Sequence, residues 1–275
     1  DMQAYDVETD DGLRLKVQRW NEIQAPTRSL IIIHGLGEHQ DRYKHVAAHF
    51  VKDGFQVYSY DQRGHGKSEG KRGHSPGISS NIRDLERVIE SIPHENLFIY
   101  GHSFGGNVLA NFLIRKDCAS LRATVLTGSW LRLFKEPSKF DVALATVMNK
   151  VYPKYTQDNQ VKPKTLSNIE KVAEDYVNDP LVHKQITAGL FKSFHASGLY
   201  AIENASNIST PTLVIHGADD IITHPNGSKQ LAERIGELAT LRIYENTQHE
   251  LHNDHIVNEM LSDISQWFAG IKVNQ

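Results

Sequence analysis

The chain opens on alternation. Apolar and polar residues exchange places through "AYDVET" and again through "LRLKVQRW", with "DDG" between them, the pattern of a hairpin whose strands each bury one face. The next apolar run is different. "SLIIIHG", Ser29 to Gly35, is continuous, β-branched and closed by glycine, as a strand covered on both faces would be. "YKHVAAHFVKDG" then sets Tyr43, Val46, Ala47, Phe50 and Val51 on one helical face and stops at Gly54.

The rhythm continues. "FQVYSYD" reads as a strand, and "ISSNIRDLERVIESI" as a helix with Ile78, Ile82, Leu85, Val88, Ile89 and Ile92 on one stripe. "NLFIYG" is a strand, the apolar segment after Ser103 a helix, and "RATVLTG" a strand. Near the end come "TLVIHG", a helix from about Ser228 to Ile235, the strand "ATLRIYE", and a last helix through "IVNEMLSDISQWFAGI". Strands alternating with helices of this length predict an α/β fold, a mostly parallel, doubly wound sheet covered on both faces.

One stretch breaks the alternation. From Trp130 to about Ser209 no β pattern is legible. "FDVALATVMNKVY" places Phe140, Leu144, Val147, Met148 and Val151 on one helical face, and "HKQITAGLFKSF" carries Ile186, Leu190, Phe191 and Phe194. The polar "PKYTQDNQVKPKTLSN" between them reads as loop. The expected organisation is a core of residues 1–129 and 210–275 with a helical cap (lid) of residues 130–209 inserted between two strands. The plain expectation for the two apolar stripes is that they pack the insertion's own small core.

Composition narrows the function. At 275 residues, 39% hydrophobic and 23% charged, the chain can bury a sizeable core. A net charge of -3 without a basic patch argues against a nucleic-acid partner. Cys118 is the sole cysteine, so no internal disulfide forms, and its expected place is that of a small buried apolar residue. "DMQAYDVETDDG" lacks the apolar core of a signal peptide, and no apolar run reaches the roughly 18 residues of a membrane span. A soluble, cytoplasmic protein is expected.

The chemistry concentrates in "FIYGHSFGGNVLANFL". Gly-His-Ser-Phe-Gly, around Ser103, fits G-x-S-x-G and stands where that motif has meaning, after a strand and before a helix. A serine on so sharp a turn needs neighbours without Cβ so that main chain can pass close by. The turn aims the N–H of Phe104, at the positive end of a helix, into the space above the hydroxyl. Partners exist in the order Ser, Asp, His that this arrangement uses on an α/β-hydrolase fold: "TLVIHGADD" ends a strand with Asp219 and Asp220, and "LRIYENTQHE" ends another with His249 beyond it. A metal is the rival reading of His249, His252 and His255. H-E-x-x-H is absent, however, and on a helix their spacing would spread the rings over roughly 120°, so no metal is expected. His34 and His65, beside glycines, read as shaping the site.

Taken together, "HGLGEHQDRY", "DQRGHGKSEG", "GHSFGG", "HGADD" and "HELH" resemble the monoacylglycerol lipases and related lysophospholipases among the serine α/β-hydrolases. The likeness spans nearly the whole chain, and "DYVNDPLVHKQIT" is similar to a cap motif of the bacterial members. The resemblance implies a triad of Ser103, Asp220 and His249, Asp220 being the position that fits G-x-x-D. It implies an oxyanion hole from the main-chain N–H groups of Leu36 and Phe104. Glu38, Arg42 and His252 would meet the glycerol end of a substrate, and Tyr176 would lie near it. The implied partner is a small lipid ester, with no cofactor, and the apolar lip of the cap would touch a membrane or micelle surface.

Rival functions remain at this level. A lysophospholipase or general carboxylesterase uses the same triad. An iminopeptidase-type aminopeptidase adds cap carboxylates for the substrate amine, and Glu170, Glu174 and Asp175 are available. A dehalogenase or epoxide hydrolase would need an aspartate where Ser103 stands, and a non-enzymatic receptor of this fold usually carries a broken triad.

Overall fold

The computed structural model describes residues 2–274. Its strands are β1 (Gln3–Glu8), β2 (Arg14–Arg19), β3 (Ser29–Ile33), β4 (Gln56–Tyr60), β5 (Leu97–His102), β6 (Leu121–Thr127), β7 (Thr156–Asp158), β8 (Gln185–Thr187), β9 (Thr212–Gly217) and β10 (Ala239–Tyr244). Its helices are α1 (Lys44–Lys52), α2 (Ile78–Glu90), α3 (Phe104–Arg115), α4 (Lys139–Val151), α5 (Glu170–Asn178), α6 (Ala188–Glu203), α7 (Pro225–Ile235) and α8 (Val257–Ala269).

An 8-stranded sheet runs β1-β2-β4-β3-β5-β6-β9-β10. The β1–β2 hairpin joins antiparallel to β4, and the remaining neighbours pair in parallel. The continuous apolar runs explain themselves here. Along β3, Ile31 and Ile33 enter the cluster under α2, α3, α6 and α7, while Leu30 and Ile32 enter the opposite one under α1 and α8. Successive side chains of a strand point to opposite faces, so a sheet covered on both sides needs every position apolar.

Strand order also places the chemistry. From the central pair β3 and β5 the sheet is wound outward in both directions, and ligands of such sheets bind at the carboxyl ends of the strands beside that switch point. Ile33 lies opposite Gly101 in register, so the loops that leave β3 and β5 are neighbours.

The inserted region departs from expectation in four ways. Thr156–Asp158 and Gln185–Thr187 form a two-stranded antiparallel ribbon, too short to show alternation. Helix α5 buries only Tyr176 and so carries no legible stripe. Helix α6 does not stand apart from the core: Leu190, Phe194, Ala201 and Ile202 join the cluster around α3. Helix α4 has no buried residue, with Phe140 74% and Val151 75% exposed; Leu144 and Met148 of its stripe line a cavity, while Phe140, Val147 and Val151 face outward. Outside the insertion, α7 begins at Pro225 rather than near Ser228, because proline suits the first helical position, where its missing N–H costs nothing. Cys118 is half-buried in the loop after α3, and burial pushes its thiol up to about 11, the opposite of an activated cysteine. Among the described residues no helix is long and apolar enough to cross a membrane.

Candidate active site

Ser103 sits between β5 and α3 with φ 54° and ψ -113°, a left-handed conformation that costs a non-glycine residue about 1–3 kcal/mol. Its surroundings hold it there. Its N–H donates to Thr127 O at 2.9 Å, and its carbonyl accepts from Asn107 N and Trp130 N, each at 3.0 Å. The flanking glycines are required by close approach. A Cβ on Gly105 would stand 2.5 Å from Ile33 O, and one on Gly101 would stand 2.7 Å from Gly105 O.

Two side chains complete the arrangement. The Ser103 hydroxyl lies 3.1 Å from His249 Nε2, and His249 Nδ1 lies 2.7 Å from Asp220 Oδ2. All three residues are buried, whereas Asp219 faces solvent. Burial alone would lower the His249 pKa, but the charge and hydrogen bond of Asp220 outweigh it and raise the imidazole above its ordinary value. Burial likewise disfavours the Asp220 carboxylate, yet His249, His216 and their hydrogen bonds hold it well below the usual carboxylate range. An ionised carboxylate therefore faces Nδ1–H, which leaves Nε2 as the acceptor toward the serine.

The loop after β3 supplies the opposite wall. His34 Nδ1 donates to Gly35 O at 2.7 Å, while its Nε2 accepts Gln62 N–H at 2.9 Å, which settles the tautomer. In a trans peptide the C=O and the next N–H point in opposite directions. With Gly35 O turned to His34, the Leu36 N–H is turned away from that ring. Leu36 lines the cavity, and a Cβ on Gly35 would lie 3.4 Å from Ser103 Cβ. Phe104 opens α3, so its N–H is one of the first-turn donors that a helix leaves without an internal partner. His65 is a shaping residue: its ring stacks on Phe104 at 5.6 Å.

These groups open on a cavity of about 940 Å³. Trp130, Leu144, Met148 and Phe191 line one part; Glu38, His102 and Glu250 line the part beside Ser103. Glu38 and Tyr176 both line the cavity. Arg42 and His252 do not line it. Arg42 donates Nη1 to Glu38 at 2.7 Å and both Nη atoms to Glu250 at 2.7 Å, under the ring of Tyr176. His252 is fully buried, stacked on Tyr43 with ring centroids 4.6 Å apart, and neither ring nitrogen has a partner among the described residues. The expectation that Arg42 and His252 touch a substrate's glycerol end gains no support from the cavity lining. Arg42 is consumed by two buried carboxylates, and His252 stands behind the wall.

The polar part of the cavity holds groups the sequence did not single out. His102, next to the serine, bonds Thr127 Oγ1 through Nδ1 at 2.9 Å, and its Nε2 is buried and unpartnered among the described residues. Burial and the neighbouring His249 push its pKa down to about 3, so the ring is neutral. Glu250 follows His249 directly; burial pushes its carboxyl up, but the Arg42 charge and hydrogen bonds outweigh that and hold it low. Burial pushes the Glu38 carboxyl up. Glu38, His102 and Glu250 come close enough to hold a metal ion, but the guanidinium already bridges both carboxylates, and a second cation would meet its charge. His255 is exposed, so the three histidines of "HELHNDH" do not converge.

The two narrower motifs meet. His39, of "GEHQ", pairs with Asp179, of "NDPL", at 2.7 Å, and His183 N–H donates to Gly37 O at 2.9 Å. The inserted segment is thereby tied to the loop carrying Leu36.

Residues 24–256 match the serine aminopeptidase S33 family. The chain belongs to this family. An uncharacterized abhydrolase domain-containing protein of Dictyostelium discoideum is 32% identical over 265 residues, covering 94% of this chain but only 28% of that much longer protein. A monoacylglycerol lipase of Mycolicibacterium smegmatis is 30% identical over 264 residues and is matched over 94% of both chains. Among solved structures, a monoacylglycerol lipase of Paleococcus ferrophilus superposes with a TM-score of 0.83 at 29% identity, covering 97% of this chain and 98% of that one. With this family, these relatives and this α/β-hydrolase fold, the chain is a carboxylic ester hydrolase.

Proposed function

We propose that the protein hydrolyses monoacylglycerols, or similar single-chain lipid esters, through an acyl-enzyme formed on Ser103. The observation that carries this reading is the Ser103–His249–Asp220 chain on the wall of one cavity whose lining includes the apolar Trp130, Leu144, Met148 and Phe191 as well as the polar Glu38, His102 and Glu250. His249 Nε2 takes the proton as Ser103 Oγ attacks the ester carbonyl, and Asp220 fixes the imidazole tautomer and stabilises the imidazolium. The developing oxyanion is met by the N–H groups of Leu36 and Phe104, a contact typically worth about 3–4 kcal/mol per donor. His249 then protonates the leaving alcohol, and water repeats the sequence on the acyl-enzyme.

The acyl chain lies along the apolar part of the lining, where each buried CH₂ contributes roughly 0.8 kcal/mol. The alcohol end lies against Glu38, His102 Nε2 and Glu250, with Tyr176 beside them. His102 Nε2, a buried ring nitrogen with no partner among the described residues, suits a hydroxyl, which can both donate and accept. Residues 130–209 act as the cap, fastened to the core by α6. The outward face of α4, with Phe140, Val147 and Val151 exposed and Lys139 and Lys150 on the same helix, is the part that would meet a membrane or micelle surface.

The aminopeptidase reading is less well supported. Glu170, Glu174 and Asp175 face solvent, and the two cavity carboxylates beside the serine, Glu38 and Glu250, are already paired with Arg42; Glu136, Asp141 and Asp158 also line the cavity and are what an amine substrate would have to use.

The test is kcat/KM for monoolein, triolein, a lysophospholipid, graded p-nitrophenyl esters and an aminoacyl-naphthylamide in matched mixed micelles. Monoolein is expected to exceed triolein, because two further chains would have to press against the polar end and strip its groups of partners, at about 1–3 kcal/mol each. Equal rates on the two lipids would refute the substrate assignment, and a naphthylamide rate above every ester would replace it.

A further inference from the structure

The Asp220 carboxylate is crowded. Oδ1 accepts Ile222 N–H at 2.8 Å and Thr223 N–H at 3.0 Å. Oδ2 accepts His249 Nδ1–H at 2.7 Å and also faces a second imidazole, His216 Nε2, at 3.0 Å. A carboxylate offers about four lone-pair positions, and these four donors fill them. The Thr223 hydroxyl, 2.9 Å from Oδ2, lies equally close to Gly128 O, so its single proton is shared. His216 is thus the side chain that competes with His249 for the oxygen supporting the imidazolium.

The proton on His216 can be located. Its Nε2 faces Asp220 Oδ2 and Thr223 O, each at 3.0 Å and both acceptors, so Nε2 carries the hydrogen. Its Nδ1 pairs with Ser228 Oγ on α7 at 2.7 Å. The ring ends β9 with no exposure to solvent, so nothing in the cavity reaches it. It touches Asp220 and not the reacting atoms.

Resting on the triad reading above, we propose that His216 is a positioning residue for the Asp220 carboxylate. It pins Oδ2 in line with His249 and, by donating to the same oxygen, limits how strongly that oxygen binds the imidazolium. Two consequences follow. Without the His216 donor, Oδ2 becomes a better partner for His249, and the positive end of the Nε2–H dipole no longer opposes charge on the neighbouring ring. His249 then holds its proton to higher pH and is a worse acceptor near neutrality. The other groups facing His249 are His102 from β5, Glu38 from the loop after β3, and Glu250 beside it on its own loop; with Arg42 behind the two carboxylates, they are left in place by changes at position 216.

The experiment compares His216→Met, which keeps bulk without a donor, His216→Gln, which offers an amide donor, and Ser228→Ala, which frees the far side of the ring. The readout is the pH profile of kcat/KM on a soluble p-nitrophenyl ester, with thermal stability alongside. His216→Met is expected to move the acidic limb up by about half a pH unit or more and to lower the plateau severalfold. His216→Gln should return the limb toward the parent, and Ser228→Ala should fall between. An unmoved limb in His216→Met, with activity lost only in step with stability, would overturn the proposal. If His216→Met does not fold, a limb in Ser228→Ala that matches the parent overturns it instead. The triad reading is tested apart from His216: fluorophosphonate labelling of the parent that persists in Ser103→Ala would sink that reading whatever the His216 variants do.

Discussion

Replacing Arg42 with alanine separates a wall residue from a clamp. In the structure its guanidinium makes hydrogen bonds of 2.7 Å to Glu38 and Glu250, with the three side chains 10%, 3% and 3% exposed. Removing one partner of a buried ion pair costs about 3–5 kcal/mol, because the charge left behind is uncompensated. In a chain of 275 residues each kcal/mol lowers Tm by about 2 °C, so a fall of about 5–10 °C is expected. The loss should depend on pH with a definite sign. Without the guanidinium, burial pushes both carboxyls above their unfolded value of about 4.3, so the folded state holds more protons than the unfolded one and stability falls as pH rises. The deficit relative to the parent is therefore larger at pH 8 than at pH 5.

Activity should fall on every ester alike. Glu38 accepts the Gly35 N–H at 2.8 Å beside Leu36, and Glu250 follows His249, so loosening both should displace the proposed oxyanion donor and the proposed base. A kcat loss on the order of 10²-fold, with KM little changed, should appear with monoolein and with p-nitrophenyl octanoate. Thermal melts at the two pH values and steady-state kinetics on both esters decide it. A variant that melts within about 2 °C of the parent and loses monoolein activity alone would refute the clamp and return Arg42 to the substrate site.

Three other outcomes are expected. Asp220→Asn should cut kcat by about 10⁴-fold by stabilising the wrong His249 tautomer, while the exposed Asp219→Asn stays near the parent; steady-state assays that reverse this ranking would name the other carboxylate. The rate should rise with pH as His249 loses its proton, with a midpoint above the ordinary histidine value because Asp220 raises it; a pH profile centred below that value would show that the Asp220 interaction is weaker than the 2.7 Å contact implies. Asp179→Asn, which removes the charge facing His39, should lower kcat about tenfold by freeing the loop that carries Leu36, with KM unchanged; a raised KM at constant kcat would instead place Asp179 in substrate binding.

Local pattern was enough for the core strands and helices, because a sheet covered on both faces and a helix covered on one leave different periods in the chain. It was enough to place Ser103 on a strand-turn-helix with close glycines, since that turn is written in consecutive residues. The cap was less legible. Three-residue strands are too short to show a period, α5 buries one side chain, and the stripe of α4 looked like core although it is divided between a cavity and solvent. An apolar stripe states that a face avoids water; what covers that face is settled by packing.

The charged cluster shows the same limit at the site. Glu38, Arg42 and Glu250 are 4 and 208 residues apart along the chain, and only the folded sheet brings them within hydrogen-bond reach. "HGLGEHQDRY" and "HELH" pointed to this cluster, but only the tertiary structure decided that Arg42 is spent on two carboxylates, that His252 lies behind the wall, and that His102 Nε2 is buried without a partner among the described residues. The same holds for His216, whose place on Asp220 depends on a strand end, a turn and the first residues of α7 closing around one carboxylate. Sequence alone marked Ser103 as the candidate nucleophile, because backbone geometry makes a strand-turn-helix signal local. Distances, burial and the pairing of charges are properties of the packed chain, and they decided which candidate residues stand at the cavity and which hold it in place.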